Sequence, residues 1–111
     1  MSRLKCSVGG TVTQGTSKST AVTCDTMCGQ ITTHNASLAA STSVGFTVNC
    51  AAVDADDSVI LSIASGATAA SYLVGVDAVA AGSFKVHLRN VSAGSLGEAI
   101  VVNYSIVKNF F

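Results

Sequence analysis

The 111-residue chain is 11% charged and 49% hydrophobic, with six Lys and Arg against six Asp and Glu, 5% aromatic residues, no Trp and no Pro. Roughly 25% of residues are charged in an average soluble domain, so this surface is thinly defended and is expected to be covered by other chains. A net charge of zero argues against nucleic acid as a partner, because phosphate neutralisation needs clustered Lys and Arg.

The length sets an expectation of one domain. No apolar run approaches the roughly 20 residues of a transmembrane helix, so no membrane partner is expected. The opening "MSRLKCSVGG" has basic residues but lacks the apolar segment of a secretory signal, which points to a protein made and kept in a cytosol. No linker and no tandem repeat is visible.

In chain order, the first half offers three short Thr-rich strands, "GTVTQ", "TAVTC" and "GQITT"; Thr is β-branched and suits a pleated, half-buried surface. "NASLAA" (35–40) fits a helical turn or a loop between strands. Alternation with a period of two then recurs: Phe46, Val48 and Cys50; Val59, Leu61 and Ile63; Tyr72, Val74 and Val76. In "SFKVHLRN", Phe84, Val86 and Leu88 point one way and Lys85, His87 and Arg89 the other. Ile100, Val102, Tyr104 and Ile106 share a face of the last strand. Turn material separates these runs at Ser65-Gly66, Ala81-Gly82, 92–97 and the polar loop 54–58. About eight strands at roughly ten-residue spacing predict an all-β fold, a single antiparallel β-sandwich or jelly roll.

The residues with chemical potential do not assemble a catalytic set. In "CDTMCGQ", Cys24 and Cys28 have a spacing compatible with half of a zinc site, but Cys6 and Cys50 are distant and no second knuckle completes four ligands. A thioredoxin-type pair needs C-x-x-C opening a helix, and neither condition is met. A disulfide is disfavoured in a reducing cytosol. Free thiols acting as small buried hydrophobes are therefore the expected state, with a disulfide or a metal pair as the alternatives. The stretch reads as the end of one strand, a turn and the start of "GQITT".

Asp54, Asp56 and Asp57 lack the Gly and distal Glu of a calcium loop and read as a solvated connection. Glu98 is a lone acid, and no G-x-S-x-G elbow exists. Asn35, Asn90 and Asn103 open N-x-S sequons that read as coincidence in a Ser-rich chain. No enzyme, cofactor or metal is expected. Lys85, His87 and Arg89 read as a solvated or intersubunit strand face.

Across nearly its whole length the chain resembles a family of small tailed-bacteriophage virion proteins. The resemblance is densest in "GTVTQGTSKST", "VAAGSFKVHLRN" and "SAGSLGEAIVVNYSIVK", which are strand-and-turn motifs and not catalytic signatures. The chain departs from the family in its cysteines. The resemblance implies a virion structural role on the outer capsid surface, with assembly in the host bacterial cytoplasm. It implies a jelly-roll-like, commonly trimeric decoration (cement) protein that binds the lattice of the major capsid protein. Other decoration proteins are further candidate partners. A head- or tail-fibre domain for host attachment is the alternative it leaves open.

On that reading residues 1–8 form a capsid-contacting arm, with Ser2, Arg3, Leu4, Lys5 and Cys6 as its contact residues, and 9–111 form the sandwich. Lys85, His87 and Arg89, together with Phe110 and Phe111 at the end of the sequence, are the expected oligomer interface. Aromatic side chains gain most from burial against a neighbour.

Overall fold

The computed structural model describes residues 9–109. The arm residues Ser2, Arg3, Leu4, Lys5 and Cys6, and the terminal Phe110 and Phe111, lie outside the described residues.

Eight strands and no helix occur among the described residues: β1 (Gly9–Thr13), β2 (Val22–Thr23), β3 (Cys28–Thr32), β4 (Thr42–Asn49), β5 (Ser58–Ser65), β6 (Tyr72–Ala80), β7 (Ser83–Asn90) and β8 (Val101–Val107). They form two four-stranded sheets, ordered β1-β3-β8-β5 and β2-β4-β7-β6. The all-β sandwich expected from the alternation is the fold observed. The 35–40 segment is a loop between β3 and β4 and not helical, with Leu38 bridged to Leu96 through two backbone hydrogen bonds.

Two pairings depart from an all-antiparallel sandwich: β1 with β3 and β2 with β4 run parallel. The path of the chain explains both. From β1 to β6 it alternates between the two sheets. A strand that crosses to the other sheet and comes back re-enters its own sheet in its original direction. Sequence-adjacent strands pair within one sheet only at β6–β7, through a two-residue turn, Ala81-Gly82. Gly82 takes a φ of +89° there, a region that only glycine enters without cost.

The core lies between the sheets, on the faces that the alternation marks as apolar. Phe46, Val48, Phe84, Val86 and Leu88 come from one sheet; Ile31, Val102, Tyr104 and Ile106 come from the other. The Phe84 and Tyr104 rings meet across the gap with centroids 5.6 Å apart and planes inclined by 55°. That tilted contact is favoured by the ring quadrupoles.

Both long edge strands are broken by register shifts, between Ile63 and Ser65 in β5 and between Asp77 and Ala80 in β6. In β6 the shift contains Ala78 at a φ of +52°. Such irregularities turn an edge away from indiscriminate pairing. At the far end of β5, Gly66 adopts a φ of +82°, and a Cβ there would collide with the carbonyl of Ala99.

Candidate interaction surfaces

The sandwich presents two outer faces of different chemistry. On the β2-β4-β7-β6 sheet, alternation with the buried Phe84, Val86 and Leu88 turns Lys85, His87 and Arg89 outward along the central strand β7. The three residues are therefore brought together as one ridge. The register sets its flanks in rows: Thr47, Lys85 and Asp77; Gly45, His87 and Gly75; Ser43, Arg89 and Leu73.

Glycine at 45 has a specific consequence for this ridge. A Cβ on Gly45 would stand 2.9 Å from both His87 Cε1 and Lys85 Cε, so the missing side chain lets these two lie down across β4. Beside Gly75 the space is open. His87 Nε2 lies 3.1 Å from the Asp77 carboxylate, and Arg89 donates to Ser43 Oγ at 3.2 Å. Leu73, 61% exposed, closes the end of the ridge beside Arg89.

The outer face of the other sheet carries no charged side chain among the described residues. Thr11, Gln30, Asn103 and Ser62 form one row across all four strands, and Gln30 Nε2 donates to Asn103 Oδ1 at 2.9 Å. Ile60 and Val107, both exposed, are diagonal neighbours on this face, since Ile60 pairs with Ser105 and Ser58 with Val107.

The outermost described residues converge at the same end of the sandwich. Gly9 pairs with Cys28, which pairs with Ser105. Asn109 donates to the Asp56 carbonyl at 3.0 Å and to Ser58 Oγ at 2.8 Å. Gly9 and Asn109 thus lie at the same end but on opposite edges of the sheet, Gly9 on β1 and Asn109 against the start of β5, near Ile60 and Val107.

The buried polar groups are engaged internally. Lys18, buried, donates to the carbonyls of His34 and Glu98, the latter at 2.7 Å; burial lowers its pKa, and the Glu98 charge only partly offsets this. Gln14 donates to the Lys18 and Thr20 carbonyls and accepts from His34 N, so it fixes the 14–20 loop. The Glu98 carboxylate accepts from Thr68 N at 2.8 Å and from Thr68 Oγ1, and these bonds hold its pKa down. The buried Tyr72 hydroxyl makes no hydrogen bond of ordinary geometry. Burial, reinforced by the neighbouring Glu98, pushes its pKa up to about 12.

At the opposite end, Lys108 Nζ binds Asp57 at 2.6 Å, Asp54 at 2.9 Å and the Ala52 carbonyl at 3.0 Å. The 54–58 loop is solvated as expected at Asp54, Asp56 and Ser58; the exception is Asp57, which is buried and holds Lys108. Its partner lies 51 residues away, where no local pattern could reveal it.

This latch gives a pH signature. The Lys108 bond holds the Asp57 pKa below its ordinary 3.8, and Asp57 then Asp54 raise that of Lys108 above 10.5. A depressed carboxylate contributes stability above its unfolded value and loses it as pH falls below; a raised lysine contributes below its unfolded value and loses it as pH rises beyond. Lys108→Met is therefore expected to lower the melting temperature across the range between those two values. Its curve should converge on that of the original protein in acid, once the pH has fallen through the depressed Asp57 pKa and that carboxyl is protonated. A constant gap at every pH, read by thermal denaturation, would show that Lys108 contributes only packing.

The cysteines divide. Cys24 and Cys50 are free and buried, as expected of small hydrophobes. Cys28 is disulfide-bonded, so the free-thiol expectation fails at that position. The connection between β2 and β3 is the anticipated strand end, turn and strand start. The sequence does not reveal its clamp: the Tyr104 hydroxyl, from β8, donates to the carbonyls of Cys24 and Thr26 at 3.1 and 2.8 Å. Among the described residues no three His, Cys, Asp or Glu side chains gather in a metal-holding group. No family model, curated protein or solved structure matches the chain.

Proposed function

We propose that the chain is a non-enzymatic virion protein, a decoration protein that binds the major capsid protein lattice of a tailed bacteriophage as a trimer and stabilises the head. The observation that supports this most is the layout of the surfaces. A rigid sandwich presents a cationic ridge on one face and an uncharged hydroxyl-and-amide face on the other. Its first and last described residues lie at the same end, on opposite edges of the uncharged sheet, and the last is beside exposed Ile60 and Val107. A protein with that layout can contact copies of itself through one surface and a lattice through another. The biological setting rests on the resemblance of the strand-and-turn strings to those of tailed-phage virion proteins. Binding strength comes from avidity: three modest contacts on one trimer act together, and the second and third are intramolecular once the first has formed.

In this reading residues 1–8 contact the capsid, and Lys85, His87 and Arg89 contact a neighbouring copy. The test is co-sedimentation with expanded capsids lacking the protein. Deleting residues 1–6 is expected to leave a folded trimer that no longer sediments with capsids. Lys85→Glu combined with Arg89→Glu is expected to convert trimers to monomers in analytical ultracentrifugation. Wild-type capsid occupancy by the truncated protein would remove the arm assignment. Trimers that survive the double charge reversal would remove the ridge from the interface.

A further inference from the structure

We propose that Cys24 and Cys50 are an oxidation site, at which the two thiols close into an intramolecular disulfide tying the end of β2 to the end of β4. The inference does not depend on the virion reading. It rests on the parallel register. Val22 faces Val48 and Thr23 faces Asn49, and the ladder runs one step further through Cys24 N to the Asn49 carbonyl at 2.9 Å. The next opposed residues are Cys24 and Cys50.

Each cysteine follows an inward-facing buried valine by two positions, so alternation sends both thiols into the core; Cys24 is 6% and Cys50 1% exposed. There they meet the same residue. Cys24 Sγ lies 3.5 Å from Thr26 Oγ1, and Cys50 Sγ lies 3.4 Å from the Thr26 carbonyl oxygen. Neighbouring strands lie about 4.7–4.9 Å apart, inside the Cα separation of about 4.4–6.8 Å that a disulfide spans. Both residues sit just past the last paired positions of their strands, where the backbone adjusts without breaking the ladder.

The opposing sheet leaves room for the Cys24 thiol. A Cβ on Gly10 would stand 2.9 Å from Cys24 Sγ, and one on Gly29 3.2 Å. Two glycines face the thiol where side chains would otherwise fill the gap. The same chain already holds Cys28 in the oxidised state.

The oxidant is a small-molecule disulfide. One cysteine thiolate attacks it, forming a mixed disulfide and releasing one small thiol. The second thiolate then displaces the other small thiol as the Cys24–Cys50 bond forms. The small disulfide gains two electrons, and the two cysteine protons end on the released thiols. Because both sulfurs are buried, exchange occurs while the 24–27 connection is undocked, during folding or local opening.

The test uses the full-length protein, unfolded under reduction and refolded with a mixture of reduced and oxidised glutathione. The product is alkylated in denaturant and mapped by mass spectrometry. The expected result is loss of alkylation at both Cys24 and Cys50 and a linked peptide joining them. In the Cys24→Ala variant, Cys50 should become alkylated under the same conditions. Full alkylation of both thiols in the refolded wild-type protein, or a linkage from either of them to a different cysteine, would overturn the proposal.

Discussion

Tyr104→Ala is expected to remove about 4 kcal/mol of stability and to lower the melting temperature by about 15–20 °C. Tyr104 is among the largest fully buried side chains, at 1% exposure. Its ring packs on Phe84 across the two sheets, so truncation opens a cavity where the sheets meet. Aromatic-to-alanine changes in cores typically cost about 3–5 kcal/mol. Its hydroxyl proton is shared between the Cys24 and Thr26 carbonyls, and both lose that partner too. Tyr104→Phe separates the two contributions, since it keeps the ring and is expected to cost only about 1 kcal/mol. Against a total stability of about 5–15 kcal/mol, the alanine variant should be marginal at 37 °C. A loss below about 1.5 kcal/mol in chemical denaturation would mean that the core is not centred on this contact.

Asn90→Ala is expected to cost about 3 kcal/mol, with no cavity of comparable size. Asn90 is fully buried at the end of β7. Its Nδ2 donates to the carbonyls of Leu38 and Gly94, each at 2.9 Å. Its Oδ1 accepts from Ser92 N at 2.9 Å and from Ser92 Oγ at 2.7 Å. Alanine removes four hydrogen bonds, each worth about 0.5–1.5 kcal/mol: the Leu38 and Gly94 carbonyls keep Leu96 N and Ser92 Oγ as donors, whereas the Ser92 amide loses its partner. Asn90→Asp sharpens the test: it keeps the acceptor but sets a carboxylate against two carbonyls. Its loss is expected to exceed that of alanine at neutral pH and to shrink in acid. A smaller loss for Asn90→Asp than for Asn90→Ala at neutral pH would show that the donors carry no weight. The same bonds exclude Asn90 as a glycan acceptor in the folded chain, in keeping with the coincidental reading of its sequon.

The strand pattern was legible because burial on one sheet face imposes a period of two. Phe84, Val86 and Leu88 turn inward and Lys85, His87 and Arg89 outward, as their alternation implies. The cationic ridge was visible for the same reason. What was hidden depends on contacts between distant segments. Lys18 is buried because carbonyls at His34 and Glu98 receive it, the second of them 80 residues away. Nothing adjacent to Lys18 in "GTSKST" marks it as different from a surface lysine. The burial of Asp57 depends on Lys108 in the same way. The parallel pairing of β2 with β4 follows from the alternation of the chain between sheets, which no local window records. That pairing is also what makes Cys24 and Cys50 neighbours, whereas the sequence drew the eye to Cys24 and Cys28.

The central claim, a decoration protein covering a capsid lattice, is tested most directly by counting copies per virion. Quantitative mass spectrometry of purified particles, referenced to the major capsid protein, gives the number. A lattice-binding trimer predicts on the order of hundreds of copies per particle, in fixed ratio to the capsid subunits. A few dozen copies or fewer would contradict it and assign the chain to a fibre, and absence from the particle would remove it from the virion altogether.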